Sequence, residues 1–96
     1  MAAGKTAKLT PRQITRIAKA LSDPRRYLIL QQIGNQESLS CSALNELHDV
    51  SAPTISHHLK ELGEAELIEV SREGKSAILR INRDVLRAYA GQLAKL

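Results

Sequence analysis

All three prolines of this 96-residue chain stand one or two positions after a helix-capping residue, and they constrain where its helices can begin. Thr10-Pro11-Arg12-Gln13 places a capping hydroxyl, a proline at the first helical position and a capping-box glutamine in order. Asp23-Pro24 repeats the device, and Ser51 followed by Pro53 repeats it again. Proline is tolerated there because the N–H it lacks is among the donors that a first turn leaves unsatisfied. A chain punctuated in this way is built mainly of short helices with abrupt starts.

Apolar spacing supplies their faces. Ile14, Ile17, Ala18 and Leu21 form one stripe after the first cap. The second helix carries Tyr27, Leu28, Ile29, Leu30 and Ile33, apolar nearly all round, which predicts a central position. Gly34-Asn35 closes it. Ser40 caps a short third helix with Cys41, Leu44 and Leu47. The fourth opens at Ser51, turns Ile55, Leu59 and Leu62 inward, and is expected to end at Gly63.

The period then changes to two. Ile68 and Val70 alternate with Glu69 and Ser71, and Ala77, Leu79 and Ile81 alternate with Ile78 and Arg80. Arg72-Glu73-Gly74-Lys75 predicts a hairpin tip. A Glu73-Gly74 turn would set Val70 opposite Ala77 and Ile68 opposite Leu79, with one apolar face on the core. Asn82 caps a last helix bearing Val85, Leu86, Tyr89, Ala90, Leu93 and Leu96. The expected fold is mainly α with a β-hairpin wing (α+β), in the order α-α-α-α-β-β-α. A short helix, a tight turn, a second helix and a basic hairpin together describe a winged helix-turn-helix. It spans 10–96 as one domain, behind a disordered basic arm at 1–9 that offers at most a loose phosphate contact.

With no Trp or Phe and two Tyr, the core must be aliphatic and small, and oligomerisation is the usual source of extra burial. The net charge of +4, from 14 Lys+Arg against 10 Asp+Glu, favours a polyanionic partner. One cysteine excludes an intrachain disulfide and fits a reducing compartment. No run approaches the roughly 20 apolar residues of a membrane span, and the N-terminus lacks an apolar signal core. Both point to a cytoplasmic chain with no membrane role.

On the fourth helix each residue advances about 100°. With Ile55, Leu59 and Leu62 inward, His57 points outward beside Pro53, Thr54 and Lys60, and Ser56 and His58 lie on the flanks. Such a surface can enter a major groove, where N-terminal side chains of a helix reach base edges. Thr54, Ser56 and His57 would meet bases, with Ser51 and Lys60 closer to phosphate. Arg72 and Lys75 on the hairpin tip, and Arg25 or Arg26 at the start of the second helix, would add backbone contacts. His58 is expected to be structural, at a seam between helix and hairpin.

Metal binding and catalysis find less support. Adjacent His57 and His58 diverge and cannot chelate one ion from a helix. Cys41 and His48 lie roughly 10.5 Å apart along the third helix, and no zinc-ligand spacing occurs. No cofactor is expected, and no nucleophile stands with an orienting base, so no enzyme is expected. Cys41, on the inward stripe with Leu44, reads as a buried, inert thiol.

The segments "ALSDPRRYLILQQI" and "SAPTISHHLKELGEAELIEVSREGKSAILRI", with this order of elements, resemble the ArsR/SmtB family of prokaryotic winged-helix regulators over about residues 14 to 90. The resemblance implies a cytosolic homodimer on an inverted-repeat DNA operator, usually a repressor, released by an effector. It also implies a dimer contact of first helix against last, here Ile14, Ile17 and Leu21 with Tyr89, Leu93 and Leu96. The familiar metal ligands are missing. Ser40 and Ser42 stand where arsenic-sensing relatives carry paired cysteines, and the last helix has no His or Glu and only Asp84 as an acid. An unknown small-molecule or protein effector is left open. So are a metal- or redox-responsive regulator using Cys41 or intersubunit histidines, and a winged helix used for protein contacts.

Overall fold

A computed structural model describes residues 8–96. Most of the expected N-terminal arm, residues 1–7, lies outside the described residues. Leu9 does not belong to a solvated arm: it is 9 % exposed and part of the core. It precedes the Thr10 cap, and Ile14, four residues after that cap, packs on the same core. These are the two positions of a hydrophobic staple.

The elements are α1 (Pro11–Leu21), α2 (Pro24–Gly34), β1 (Leu39–Ser40), α3 (Cys41–Glu46), α4 (Ala52–Glu64), β2 (Ile68–Glu73), β3 (Ser76–Ile81) and α5 (Arg83–Ala94). Every expected cap is made. Thr10 and Gln13 close a capping box, and Asp23 accepts from the N–H groups of Arg25 and Arg26. Ser40, Ser51 and Asn82 accept from Ala43, Thr54 and Val85.

The sequence order omitted one element, β1. Leu39 pairs with Leu79 and Ser40 with Ile78, which makes a three-stranded antiparallel sheet in the order β1-β3-β2. Two residues are too few to display a period. Ser40 also leads straight into α3 as its cap.

The hairpin register differs from expectation by two residues. Val70 pairs with Leu79, Ile68 with Ile81 and Glu73 with Ser76. The turn is therefore Gly74-Lys75, with φ +64 at Gly74. Glycine at the first central position is what a type II′ turn takes, and that turn matches the twist of the strands. A shift of two preserves which side chains share a face, so Ile68 and Leu79 still point into the core. Val70 does not follow them and is 55 % exposed.

The helices close over one another through Ile17, Ala20, Ile29, Leu30, Ile33, Leu44, Ile55, Leu59, Leu62 and Leu67, and Leu79 joins them from the sheet. Ala20 rather than Ala18 faces inward on α1. The apolar girth of α2 is not fully covered, since Tyr27 and Leu28 are 49 % and 43 % exposed.

Gly63 does not end α4. The helix runs to Glu64, with Leu67 N–H bonding Leu62 O and Glu66 N–H bonding Gly63 O, each at 3.0 Å. These are the two bonds of a Schellman cap, and Leu62 and Leu67, both fully buried, supply its apolar contact. Glu66 occupies the left-handed position at φ +63, where a Cβ is unfavourable. Its carboxylate accepts from Gln13 Nε2 at 2.9 Å, an exposed bond. Relief of the backbone outweighs loss of that bond, so Glu66→Gly should raise stability by about 0.5–1 kcal/mol. Urea denaturation checks it, and a lowered midpoint would show that the Gln13 tie outweighs the strain.

Candidate nucleic-acid interface

The first turns of α4 rest on buried Ile55, His58, Leu59 and Leu62 and present Ser51, Pro53, Thr54, Ser56, His57 and Lys60 to solvent. Ser51 Oγ accepts from the Thr54 N–H at 3.3 Å and lies 2.9 Å from Thr54 Oγ1. The two hydroxyls share one proton between them and leave the other for an outside acceptor. No acid lies in the first turn. At the far end Glu64 pairs with Arg16 at 3.4 Å and Glu66 with Gln13, so those carboxylates turn toward α1. The exposed start of the helix combines hydroxyls, an imidazole and an ammonium at the positive end of the helix dipole, a surface suited to phosphates and base edges.

The two histidines diverge as expected, with ring centroids 6.0 Å apart, His57 in solvent and His58 8 % exposed. The seam expected for His58 was misplaced. Its Nδ1 faces Arg26 Nη1 at 3.4 Å, and it lines a surface depression with Asp23, Pro24, Arg25 and Leu28. It packs against the start of α2, not the hairpin.

Arg26 is the main correction among the expected contacts. It is 7 % exposed and donates through Nε to the Ala20 carbonyl at 2.8 Å, so it cannot reach DNA. The pattern to read was Arg26, Ile29, Leu30 and Ile33, one inward stripe at helical spacing. His58 likewise falls among Ile55, Leu59 and Leu62. Arg25 sits beside the site half-buried, donating from Nη1 to His48 Nδ1 at 2.9 Å, with Nη2 3.6 Å from Asp49. His48 in turn contacts Gln32 Oε1 at 2.7 Å through Nε2. Sequence reasoning gave His48 no role of this kind, because the turn after α3 has no periodicity that would orient it.

Arg72 and Lys75 are exposed at the hairpin tip, where Arg72 Nη1 donates to the Lys75 carbonyl at 3.5 Å. On the other face Arg80 is tied to Ser71 Oγ at 3.1 Å and Glu73 at 3.4 Å. The expected dimer residues divide. Ile17 is fully enclosed within its own chain and has nothing to offer a partner. Ile14, Leu21 and Tyr89 are partly covered; Leu93 is 50 % exposed on α5, which has no buried residue, and Leu96, beyond the end of that helix, is 99 % exposed. Cys41 is half-buried against the core rather than enclosed. Among the described residues no three His, Cys, Asp or Glu side chains cluster as metal ligands, and no helix is long and apolar enough to cross a membrane.

Backbone N–H donation from Arg26 leads the causes holding the Asp23 carboxyl below its ordinary value. Burial, followed by the Arg25 charge, depresses His48. Burial also leads for His58, with Asp23 opposing it. A histidine depressed on folding binds fewer protons folded than unfolded. Its contribution is therefore intact above the ordinary value of 6.5 and is lost as pH falls toward the folded value. Asp23 adds a second loss below 3.8. Urea midpoints should be level above 6.5 and decline below it, and a midpoint that rises on mild acidification would contradict two neutral histidines.

Residues 21–71 match the family model for a helix-turn-helix domain. The arsenical resistance operon repressor of Staphylococcus xylosus is 35 % identical over 75 residues, covering 78 % of this chain and 71 % of that protein. The transcriptional repressor SdpR of Bacillus subtilis is 35 % identical over 71 residues, covering 74 % and 78 %. Among solved structures, an ArsR-like transcriptional regulator from Rhodococcus sp. RHA1 superposes with a TM-score of 0.79 at 28 % identity, over 88 % of this chain and 78 % of that one. A homodimeric winged helix-turn-helix DNA-binding domain from Mycobacterium bovis, described as a possible ArsR-family regulator, gives 0.72 at 28 %, over 92 % and 87 %.

Proposed function

The chain belongs to the ArsR family of winged helix-turn-helix transcriptional regulators, and from that membership we propose a homodimeric repressor that reads an inverted-repeat operator with α4. One observation carries the assignment of the reading surface. The start of α4 exposes seven polar or small residues without an acid, while its opposite face is locked into the core. Thr54, Ser56 and His57 meet base edges, and Ser51 and Lys60 take phosphates beside Pro53. Arg72 and Lys75 hold the backbone from the wing, and Arg25 flanks the site. The depleted first turn and the basic wing favour DNA over an acidic protein surface.

Two copies are needed because one α4 reads only half a site. The reading helices of a dimer enter successive major grooves about 34 Å apart. The exposed Leu93 of α5 and Leu96 just beyond its end, with Tyr89, Ile14 and Leu21, supply the contact. The names of the relatives, repressors in two cases and a homodimer in a third, support this reading. The protein acts in the cytoplasm on DNA and catalyses nothing. Its effector is a small molecule or protein rather than a metal at the family's usual sites, given Ser40, Ser42 and an α5 without His or Glu.

Fluorescence anisotropy on a duplex from the chain's own upstream region, against a scrambled duplex over a salt series, tests the proposal. Preference for the native duplex, with log affinity falling as log salt rises by about 0.9 per phosphate neutralised, supports it. No binding at low salt would transfer the surface to a protein partner. His57→Ala should cost about 1–3 kcal/mol on the native duplex and relax discrimination, whereas Lys75→Ala should weaken both duplexes alike. A His57→Ala protein with unchanged specificity would show that α4 is docked wrongly.

Leu93→Glu should shift the protein toward monomer in sedimentation velocity, because it places a charge in the apolar contact. An unaltered dimer would move the interface away from α5.

A further inference from the structure

We propose that neutral His48 is a positioning residue for DNA reading: its imidazole fastens the turn that aims α4 to the body of α2, and acid unfastens it. This rests on α4 being the reading helix. His48 lies between α3, which ends at Glu46, and the Ser51 cap that opens α4. Its ring is gripped from both edges by residues of α2. Arg25 Nη1 donates to Nδ1 at 2.9 Å, and Gln32 Oε1 lies 2.7 Å from Nε2. A guanidinium can only donate and a side-chain carbonyl oxygen can only accept. Nδ1 must therefore carry a lone pair and Nε2 the proton. The two bonds define one tautomer of one charge state.

Arg25 and Gln32 lie seven positions apart on α2, two turns along one face, so the imidazole spans that face like a crossbar. The adjoining residue of the turn, Asp49, meets the same guanidinium at 3.6 Å. Three polar contacts thus hold the segment immediately before the reading helix. A second proton on the ring would occupy Nδ1 and point an N–H at the N–H of Arg25, which ends that bond and sets two cations against each other. The charged groups bearing on the ring are Arg25 from α2, which opposes protonation, and Asp49 from its own turn, which favours it; Gln32 is neutral. Burial adds to the opposition. Loosening the turn lowers the fraction of molecules in which α4 is correctly aimed, and apparent affinity falls with that fraction.

The test compares the full-length wild type with His48→Asn on the native duplex as pH is lowered. Asparagine keeps an acceptor for Arg25 near the Nδ1 position and does not titrate. Wild-type affinity should be level above 6.5, the ordinary histidine value, and then fall toward about tenfold per pH unit once the ring titrates. His48→Asn, which keeps the Arg25 bond but gives up the one to Gln32, should bind several-fold more weakly than wild type at neutral pH and lose that acid limb. His57 and His58 are present in both proteins, so the difference between the two profiles belongs to His48. Profiles that fall together, or that both stay level, overturn the proposal while leaving DNA reading by α4 intact. Absence of salt-dependent binding by the wild type at any pH overturns both. If His48→Asn fails to bind at neutral pH, the imidazole nitrogen shifts of the wild type decide. The Nε2–H tautomer, titrating together with the amides of residues 49–51, supports the role, and an Nδ1–H ring overturns it.

Discussion

Arg26 donates through Nε to the last-turn carbonyl of Ala20 and reaches His58 on α4, with 7 % of its surface left to solvent. A guanidinium so placed must find partners, because an unpaired buried charge costs several kcal/mol. It finds a carbonyl at the end of α1, an imidazole on α4 and the nearby charge of Asp23, which itself caps α2. Three helices converge on one side chain, which ties α4 to the end of α1 and the start of α2. The apolar contacts of Ile55, Leu59 and Leu62 supply burial, but apolar burial is non-directional, whereas hydrogen bonds to a planar fork are not.

Charge is sorted along α4 by the same packing. Its acids, Glu61 and Glu64, lie toward the C-terminal end, where Glu64 pairs with Arg16 of α1, while its N-terminal end carries hydroxyls, an imidazole and Lys60. The helix dipole adds to that asymmetry. The modest net charge of +4 therefore understates the field near the start of α4, because the acids of that helix sit toward its opposite end.

Helix starts were legible because capping is local chemistry. Thr10-Pro11, Asp23-Pro24 and Ser51 with Pro53 describe their own geometry, and each is found as expected. The outward face of α4 was legible because three aliphatic residues fix its inward one. The hairpin register was not, since Glu73-Gly74 and Gly74-Lys75 differ only in whether Gly74, which takes the positive φ, is the second or the first central residue. For Arg26, periodicity and chemical type point in opposite directions: a cation beside a cap has the chemistry of a phosphate contact, yet it stands on the same inward stripe as Ile29 and Ile33. Ile17 departs from expectation for the opposite reason. An apolar stripe tells that a face is covered but not whether its own chain covers it, and α2 and α4 already did.

Ser40 belongs at once to β1, where it pairs with Ile78, and to α3, which it caps. No slack chain separates sheet from helix. The sheet and α3 therefore meet at a single residue, and a displacement of β1 passes to the start of α3 with no linker to take it up. Between α3 and α4, by contrast, residues 47–51 intervene, so whatever moves the sheet reaches α4 only through that turn.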